Sequence, residues 1–371
     1  MSFLDLIKEF HPEDVRSAIE AKGPKDVEYA LQARRLTLDD FMALLSPAAE
    51  EYLEEMAQAS HAITVKRFGK TILLYAPLYI SNECSNSCVY CGFNVTNKIP
   101  RKTLSLDEIE EEARVLRGHG FRHVLLLTGE APDRCGLDYI EEAVRRIRPL
   151  FSSISVEIYP LDEDGYRRLI NAGVDGLTVY QETYDRELYL RLHPRGKKRN
   201  YAWRLLTPER GARAGMRRIG IGALLGLNDF RIDGFYTGLH ALYLQKYYWK
   251  SLITVSFPRI RPAEGGFRPL NHVSDKNLVQ LICAVRLLVH DAGLVLSTRE
   301  SEGLRNNLLP LGITQMSAGS CTAPGGYSHK ADAAGQFEID DKRSPEDVFE
   351  YLRAHGYDPV WKDWDSAFLS N

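Results

Sequence analysis

Residues 71–91 read TILLYAPLYISNECSNSCVYC, and the two halves of this stretch have different characters. Thr71 to Ile80 is almost wholly apolar, the pattern of a strand buried on both faces. Cys84, Cys88 and Cys91 follow in a loop. Ser105 and Glu108 then form a capping box that opens a helix through Ile109, Val115 and Leu116. Downstream the alternation repeats. Strand-like runs at 123–127, 154–158, 176–180, 219–224, 252–257, 294–297 and 313–317 are separated by helical stretches at 137–150, 162–172, 184–192, 233–248, 274–292 and 304–309. Eight strands alternating with helices predict a parallel, closed (βα)8 barrel of the TIM type, an α/β fold whose chemistry sits at the C-terminal strand ends.

Ahead of this stretch, residues 1–70 contain no strand pattern. Gly23-Pro24 opens a helix over 25–35, and Ser46-Pro47 opens another over 48–60. This part is read as an α-helical extension, 71–325 as the barrel, and 326–371 as a short tail with a helix from Ser344-Pro345 to about His355. Ser328 to Arg343 has no periodicity. Trp361 and Trp364 are expected to pack the tail on the barrel.

The 371 residues are 44% hydrophobic and 26% charged, with a formal net charge of -3. No apolar run approaches the ~20 residues of a membrane helix, and the N-terminus lacks a secretory pattern. Lys197, Lys198 and Arg199 form too small a basic run for nucleic-acid binding and read as a solvated loop. Three of the six cysteines cluster and the rest scatter, which indicates a metal site in a reduced, cytoplasmic compartment.

The cluster has the spacing C-x3-C-x2-C. Three thiolates can hold three irons of a [4Fe-4S] cubane and leave the fourth open, a position that the amino and carboxylate groups of S-adenosylmethionine (SAM) can fill. The competing reading is a non-catalytic zinc-binding protein, which wants a fourth ligand; Cys135 or His119 would have to fold back to supply it.

With Tyr90 before the third cysteine, the motif resembles that of the radical SAM superfamily. Essentially end to end, the chain resembles the 2-iminoacetate synthases, the tyrosine lyases of thiamine biosynthesis. The likeness is carried by PLYISNECSNSCVYCGF, TGEAP, VYQETY, IGIGALLGL, SFPRIRP, STRES, PGGY and WKDWDS. The resemblance implies that Gly129 and Glu130 receive the SAM amino group and that Arg204 pairs with its carboxylate. Glu157 and Glu182 are candidates to face the ribose or the sulfonium, with Glu182 favoured. Leu225 and Tyr90 are expected near adenine. For L-tyrosine, Arg299 and Ser317 are expected at the carboxylate and Tyr79 at the amine. The implied reaction is removal of a hydrogen atom from the tyrosine amino group, then Cα–Cβ cleavage to 2-iminoacetate and p-cresol, with no protein nucleophile. Thiazole synthase and a flavodoxin- or ferredoxin-type electron donor are the implied partners. Sibling readings are a tryptophan lyase and the tyrosine lyase of hydrogenase maturation. The latter carries further C-terminal cluster cysteines, whereas here no cysteine follows Cys321.

Overall fold

The computed structural model describes residues 2–328 and 332–362. Eight parallel strands close into a barrel: β1 (Thr71–Ser81), β2 (His123–Thr128), β3 (Ser153–Glu157), β4 (Gly176–Thr178), β5 (Arg218–Gly222), β6 (Leu252–Ser256), β7 (Gly293–Leu296) and β8 (Gln315–Ser317). Each pairs with its neighbour, and β1 pairs with both β2 and β8 to close the ring. Connections between consecutive strands run through helices on the outside. The first is Leu106–Gly118, opened by the Ser105/Glu108 capping box that the sequence shows.

The two-residue period of each strand decides what points where. Along β1, Leu74, Ala76, Leu78 and Ile80 face outward into the layer under the helices, while Tyr75 and Tyr79 join Leu125 and Leu127 inside the barrel. On β3, Ile154 and Val156 face out, and Ser155 and Glu157 face in; on β5, Ile219 and Ile221 face out, and Arg218 and Gly220 face in. The outward layer is therefore the main hydrophobic core, each fully buried Leu or Ile contributing ~2 kcal/mol. The interior is polar, with Tyr75, His123, Ser155, Thr178, Arg218 and Gln315 filling its lower part. A polar lumen has to be filled by mutual hydrogen bonds. One of these joins a His123 ring nitrogen and the Ser155 hydroxyl at 3.0 Å.

Residues ahead of β1 are helical, as expected, but the boundaries differ. Ser46-Pro47 opens only a short 3-10 turn, Pro47–Glu51, and the long helix is Leu53–Phe68. The sequence reading also missed the short helices Tyr201–Leu205 and Thr207–Ala214 that follow β4, and a ninth strand, β9 (Asp358–Val360), which pairs with Thr71–Leu73 at the start of β1. Trp361, just past β9, sets its edge on Phe121 and stacks on Phe349. Trp364 lies outside the described residues.

Candidate active site

The cysteine loop leaves the top of β1 and is held from several sides. Gly129, after β2, donates to the Ser81 carbonyl at 3.1 Å, and the Glu130 carbonyl accepts from the Ser85 N–H at 2.9 Å and the Ser85 hydroxyl at 2.8 Å. A Cβ on Gly129 would meet the Glu83 carbonyl oxygen at 2.2 Å, so only glycine allows this approach. On the far side the Ser87 and Val89 N–H groups donate to the carbonyls of Arg195 and Leu192. Asn86 fills the space beneath: its amide nitrogen donates to the Glu130 carboxylate at 2.6 Å and lies 3.8 Å from Cys84 Sγ.

All six cysteines are free thiols. Burial pushes the Cys88 thiol up to about 12 and raises Cys91 as well, so both stay neutral unless a strong positive centre arrives. Lys198 acts in the opposite direction in both cases.

Two adjoining cavities open beside the loop. One is lined by Tyr90, Cys91, Glu182, Lys198, Leu224 and Arg261; the other by Tyr75, Tyr79, Leu127, Ser297, Ser317 and Thr322. Glu157, Tyr180, Arg299, Gln336 and Phe337 line both and mark where they meet. The structure thus brings Tyr79, Tyr90, Glu157, Glu182, Arg299 and Ser317 to these two cavities, one of which reaches Cys91.

Glu182 has φ +73°, the one non-glycine residue with positive φ among those described. Such a conformation costs about 1–3 kcal/mol and persists only where the surroundings impose it. Here the Glu182 carbonyl accepts from Leu224 at 2.8 Å, and the next turn is tied by the Tyr184 N–H and Thr183 hydroxyl to Asp233. The strained turn aims the carboxylate between Lys198 Nζ at 2.6 Å and Arg204 at 3.3 Å. Burial alone would raise this carboxyl, but Lys198 and then Arg204 hold it below the ordinary range. Glu157 has no such partners among the described residues. Burial first and the Glu182 charge second push it up to about 7, against the pull of Arg299. Two neighbouring carboxylates are thus set apart in proton affinity by their surroundings. Burial also lowers Arg299, whose guanidinium carbon stands over the Phe337 ring, 3.3 Å from its centre, and which donates to the Arg259 carbonyl at 3.4 Å.

Two expectations need correction. Leu225 does not line the cavity: on the alternation of β5 it points outward into the core, and Leu224 is the residue beside Tyr90. Lys198 is not part of a solvated loop; its side chain is 15% exposed and turned in to Glu182. Glu130 and Gly129 stand behind the cysteine loop, and Glu130 also faces an outer groove with Asn200 and Trp203. Arg204 is buried, with Nε on the Tyr180 carbonyl at 2.7 Å, and its salt-bridge partner here is Glu182. Sequence reasoning also missed Tyr180, Gln336 and Phe337. Gln336 and Phe337 lie in the stretch without periodicity, where nothing in the local pattern marks them.

The Radical SAM superfamily model matches residues 78–236, and the Biotin and Thiamin Synthesis associated domain matches 256–358. The chain is 47% identical to the 2-iminoacetate synthase of Salmonella typhimurium (strain LT2), over 98% of this chain and 97% of that one. It is 48% identical to the 2-iminoacetate synthase of Escherichia coli (strain K12), with the same coverage. Among solved structures, the FeFe-hydrogenase maturase HydG from Carboxydothermus hydrogenoformans superposes with a TM-score of 0.85 at 33% identity, covering 97% of this chain and 83% of that one. Methylornithine synthase superposes with a TM-score of 0.73 at 23% identity over 90% of this chain and 97% of that one, a likeness of fold alone. With close to half its residues shared with 2-iminoacetate synthases from one end to the other, on a closed barrel that carries the three-cysteine loop, this chain belongs to the 2-iminoacetate synthase family of radical SAM enzymes.

Proposed function

We propose that this chain is a radical SAM lyase that cleaves the Cα–Cβ bond of L-tyrosine to 2-iminoacetate and p-cresol, supplying the glycine-derived unit of the thiamine thiazole. The observation that carries the reading is Arg299. Its desolvated cation stands on Phe337 at the junction of two cavities, one reaching Cys91 and the other lined by Tyr79 and Ser317. A half-buried guanidinium with no carboxylate among the described residues bonded to it suits an anionic ligand.

The donor set fits a cubane. Three thiols lie on one short loop, and the amides of Asn86 and Gln336 point N–H groups at two of the sulfurs. Among the described residues no three His, Cys, Asp or Glu side chains converge as a single-ion site requires, whereas a cubane takes its thiolates at separate corners. Cys84, Cys88 and Cys91 would hold the cluster. Tyr90, Glu182, Lys198 and Leu224 would border SAM. When bound, the pair supplies a one-electron cleavage that delivers a hydrogen-abstracting radical.

The chain's own residues do the rest. Arg299 binds the tyrosine carboxylate with help from the Ser317 hydroxyl, and the Tyr79 hydroxyl holds the amine. Glu157, raised to about 7, faces the same space and can hold a proton from the amine. Tyr180 and Phe337 wall the junction and exclude water. Lys198 and Arg204 keep Glu182 charged beside the cysteines. The reading carries with it thiazole synthase and a flavodoxin- or ferredoxin-type donor as partners, and a cytoplasmic setting in keeping with free thiols. No helix among the described residues is long and apolar enough to cross a membrane.

The deciding experiment is an anaerobic incubation of iron-reconstituted protein with SAM, reductant and L-tyrosine, which should yield p-cresol and 5′-deoxyadenosine together. Deoxyadenosine without cresol would keep the superfamily and refute the substrate. Replacing L-tyrosine by L-tryptophan in a parallel arm tests the sibling lyase.

A further inference from the structure

Residues 334–341 cross the mouth of the barrel, and their backbone is pinned on opposite sides. The Gly92 N–H donates to the Gln336 carbonyl at 3.2 Å, the Gln336 N–H to the Thr322 carbonyl at 3.1 Å, and the Asp340 N–H to the Thr298 carbonyl at 2.9 Å. The Thr322 hydroxyl donates to the Phe337 carbonyl at 2.9 Å. A Cβ on Gly92 would meet the Gln336 carbonyl oxygen at 2.5 Å, so the cysteine loop and the crossing strap are in direct backbone contact.

These ties fix Gln336 without using its side chain, which points inward. Its Oε1 accepts from the Tyr79 hydroxyl at 2.7 Å, and its Nε2 donates to Cys91 Sγ at 3.7 Å. The opposite orientation of the amide would set its oxygen against a sulfur that, as a thiolate, only accepts. One side chain therefore bridges the two cavities.

We propose that Gln336 is a positioning residue that couples the tyrosine seat to the cluster: its carbonyl orients the Tyr79 hydroxyl while its N–H supports the Cys91 thiolate. The proposal rests on the reading above of Cys91 as an iron ligand and Tyr79 as the amine's partner. An N–H donated to a ligating sulfur stabilises the more negative, reduced cluster and so raises its midpoint potential. Because the same amide holds Tyr79, an amine arriving at Tyr79 changes that donation. The coupling is reciprocal: whatever factor tyrosine imposes on reduction, reduction imposes on tyrosine affinity.

The test uses reconstituted holoenzyme of the wild type, Gln336→Leu and Gln336→Glu. Midpoints are read by potentiometric titration followed by electron paramagnetic resonance, with and without L-tyrosine, and tyrosine affinity by equilibrium dialysis. Gln336→Leu should have a more negative midpoint than the wild type, an unchanged iron content and tyrosine binding weakened about tenfold, the worth of one buried hydrogen bond. L-tyrosine should move the wild-type midpoint and leave that of Gln336→Leu in place. Gln336→Glu retains an acceptor for Tyr79 but has no N–H, so its midpoint should also fall while tyrosine affinity stays near the wild type. Midpoints unmoved in both variants at full iron content overturn the proposal, and so does a wild-type midpoint indifferent to tyrosine. Should Gln336→Leu fail to load iron, the midpoint of Gln336→Glu decides alone. A wild-type chain that takes up no cluster or no tyrosine defeats the underlying reading instead, and shows it before any variant is made.

Discussion

Arg299 and Glu157 both line the junction of the two cavities, and their chemistry is set by what surrounds them. Arg299 gains from Phe337 and a backbone carbonyl but has no carboxylate among the described residues bonded to it. Truncating it to alanine should remove about 3 kcal/mol of substrate stabilisation, roughly a hundredfold in kcat/KM for tyrosine, while SAM binding persists. Steady-state kinetics and a SAM binding isotherm check this, and loss of SAM affinity would mean the residue serves the other cavity. Glu157 gives a pH signature. Its carboxyl is raised from an ordinary 4.5 to about 7. Between those values the folded chain holds a proton that the unfolded chain has released. Stability must therefore fall as pH rises through that window. Urea midpoints measured from pH 5 to pH 8 should decline less in Glu157→Gln than in the wild type. Parallel curves would show that the carboxyl is not raised.

The cysteine loop depends on neighbours that bring only backbone to it. Gly129 at the end of β2 packs against Glu83 and the Cβ of Cys84, so Gly129→Ala must push the loop from its seat. Overpacking of this kind costs about 1–3 kcal/mol. The expected outcome is a chain that folds but binds less iron after reconstitution, measured as iron and sulfide per chain; full loading would show that the loop adapts freely. The strand alternation explains why Leu224 and not Leu225 lines the cavity. Leu224 continues the inward parity of Arg218, Gly220 and Gly222, and Leu225 continues the outward parity of Ile219 and Ile221. A shift of one residue changes the face, which local hydrophobicity cannot reveal when both residues are leucine.

The barrel is completed by segments distant in sequence. Phe3 is fully buried, stacks on His240 with ring centres 3.9 Å apart and meets Tyr184 edge-on, and its N–H donates to Glu209 at 2.8 Å. Phe3→Ala should therefore cost about 3–5 kcal/mol although it lies far from the cysteines along the chain. Chemical unfolding measures that cost, and a change under about 1 kcal/mol would show that the N-terminal helix is not part of the cooperative unit. At the other end, Asp341 pairs with Arg305 and Arg343, and Arg305 also reaches the Ser317 carbonyl, so the strap across the mouth is anchored to the helix before β8 and to β8 itself.

The eight strands, the alternation of strands with helices and the three-cysteine loop after β1 were legible in the sequence alone. Each depends on local periodicity or spacing, which a chain displays without its partners. It did not display the inward turn of Lys198, the burial of Arg204, the outward face of Leu225, or the passage of Gln336 and Phe337 across the mouth. Lys198 sits in a run that reads as solvated, and its direction follows from a strained carboxylate sixteen residues earlier. Gln336 meets Tyr79 across 257 residues of chain. Contacts at that separation exist only once the ring has closed, because closure, not composition, brings the end of β1 under the C-terminal strap.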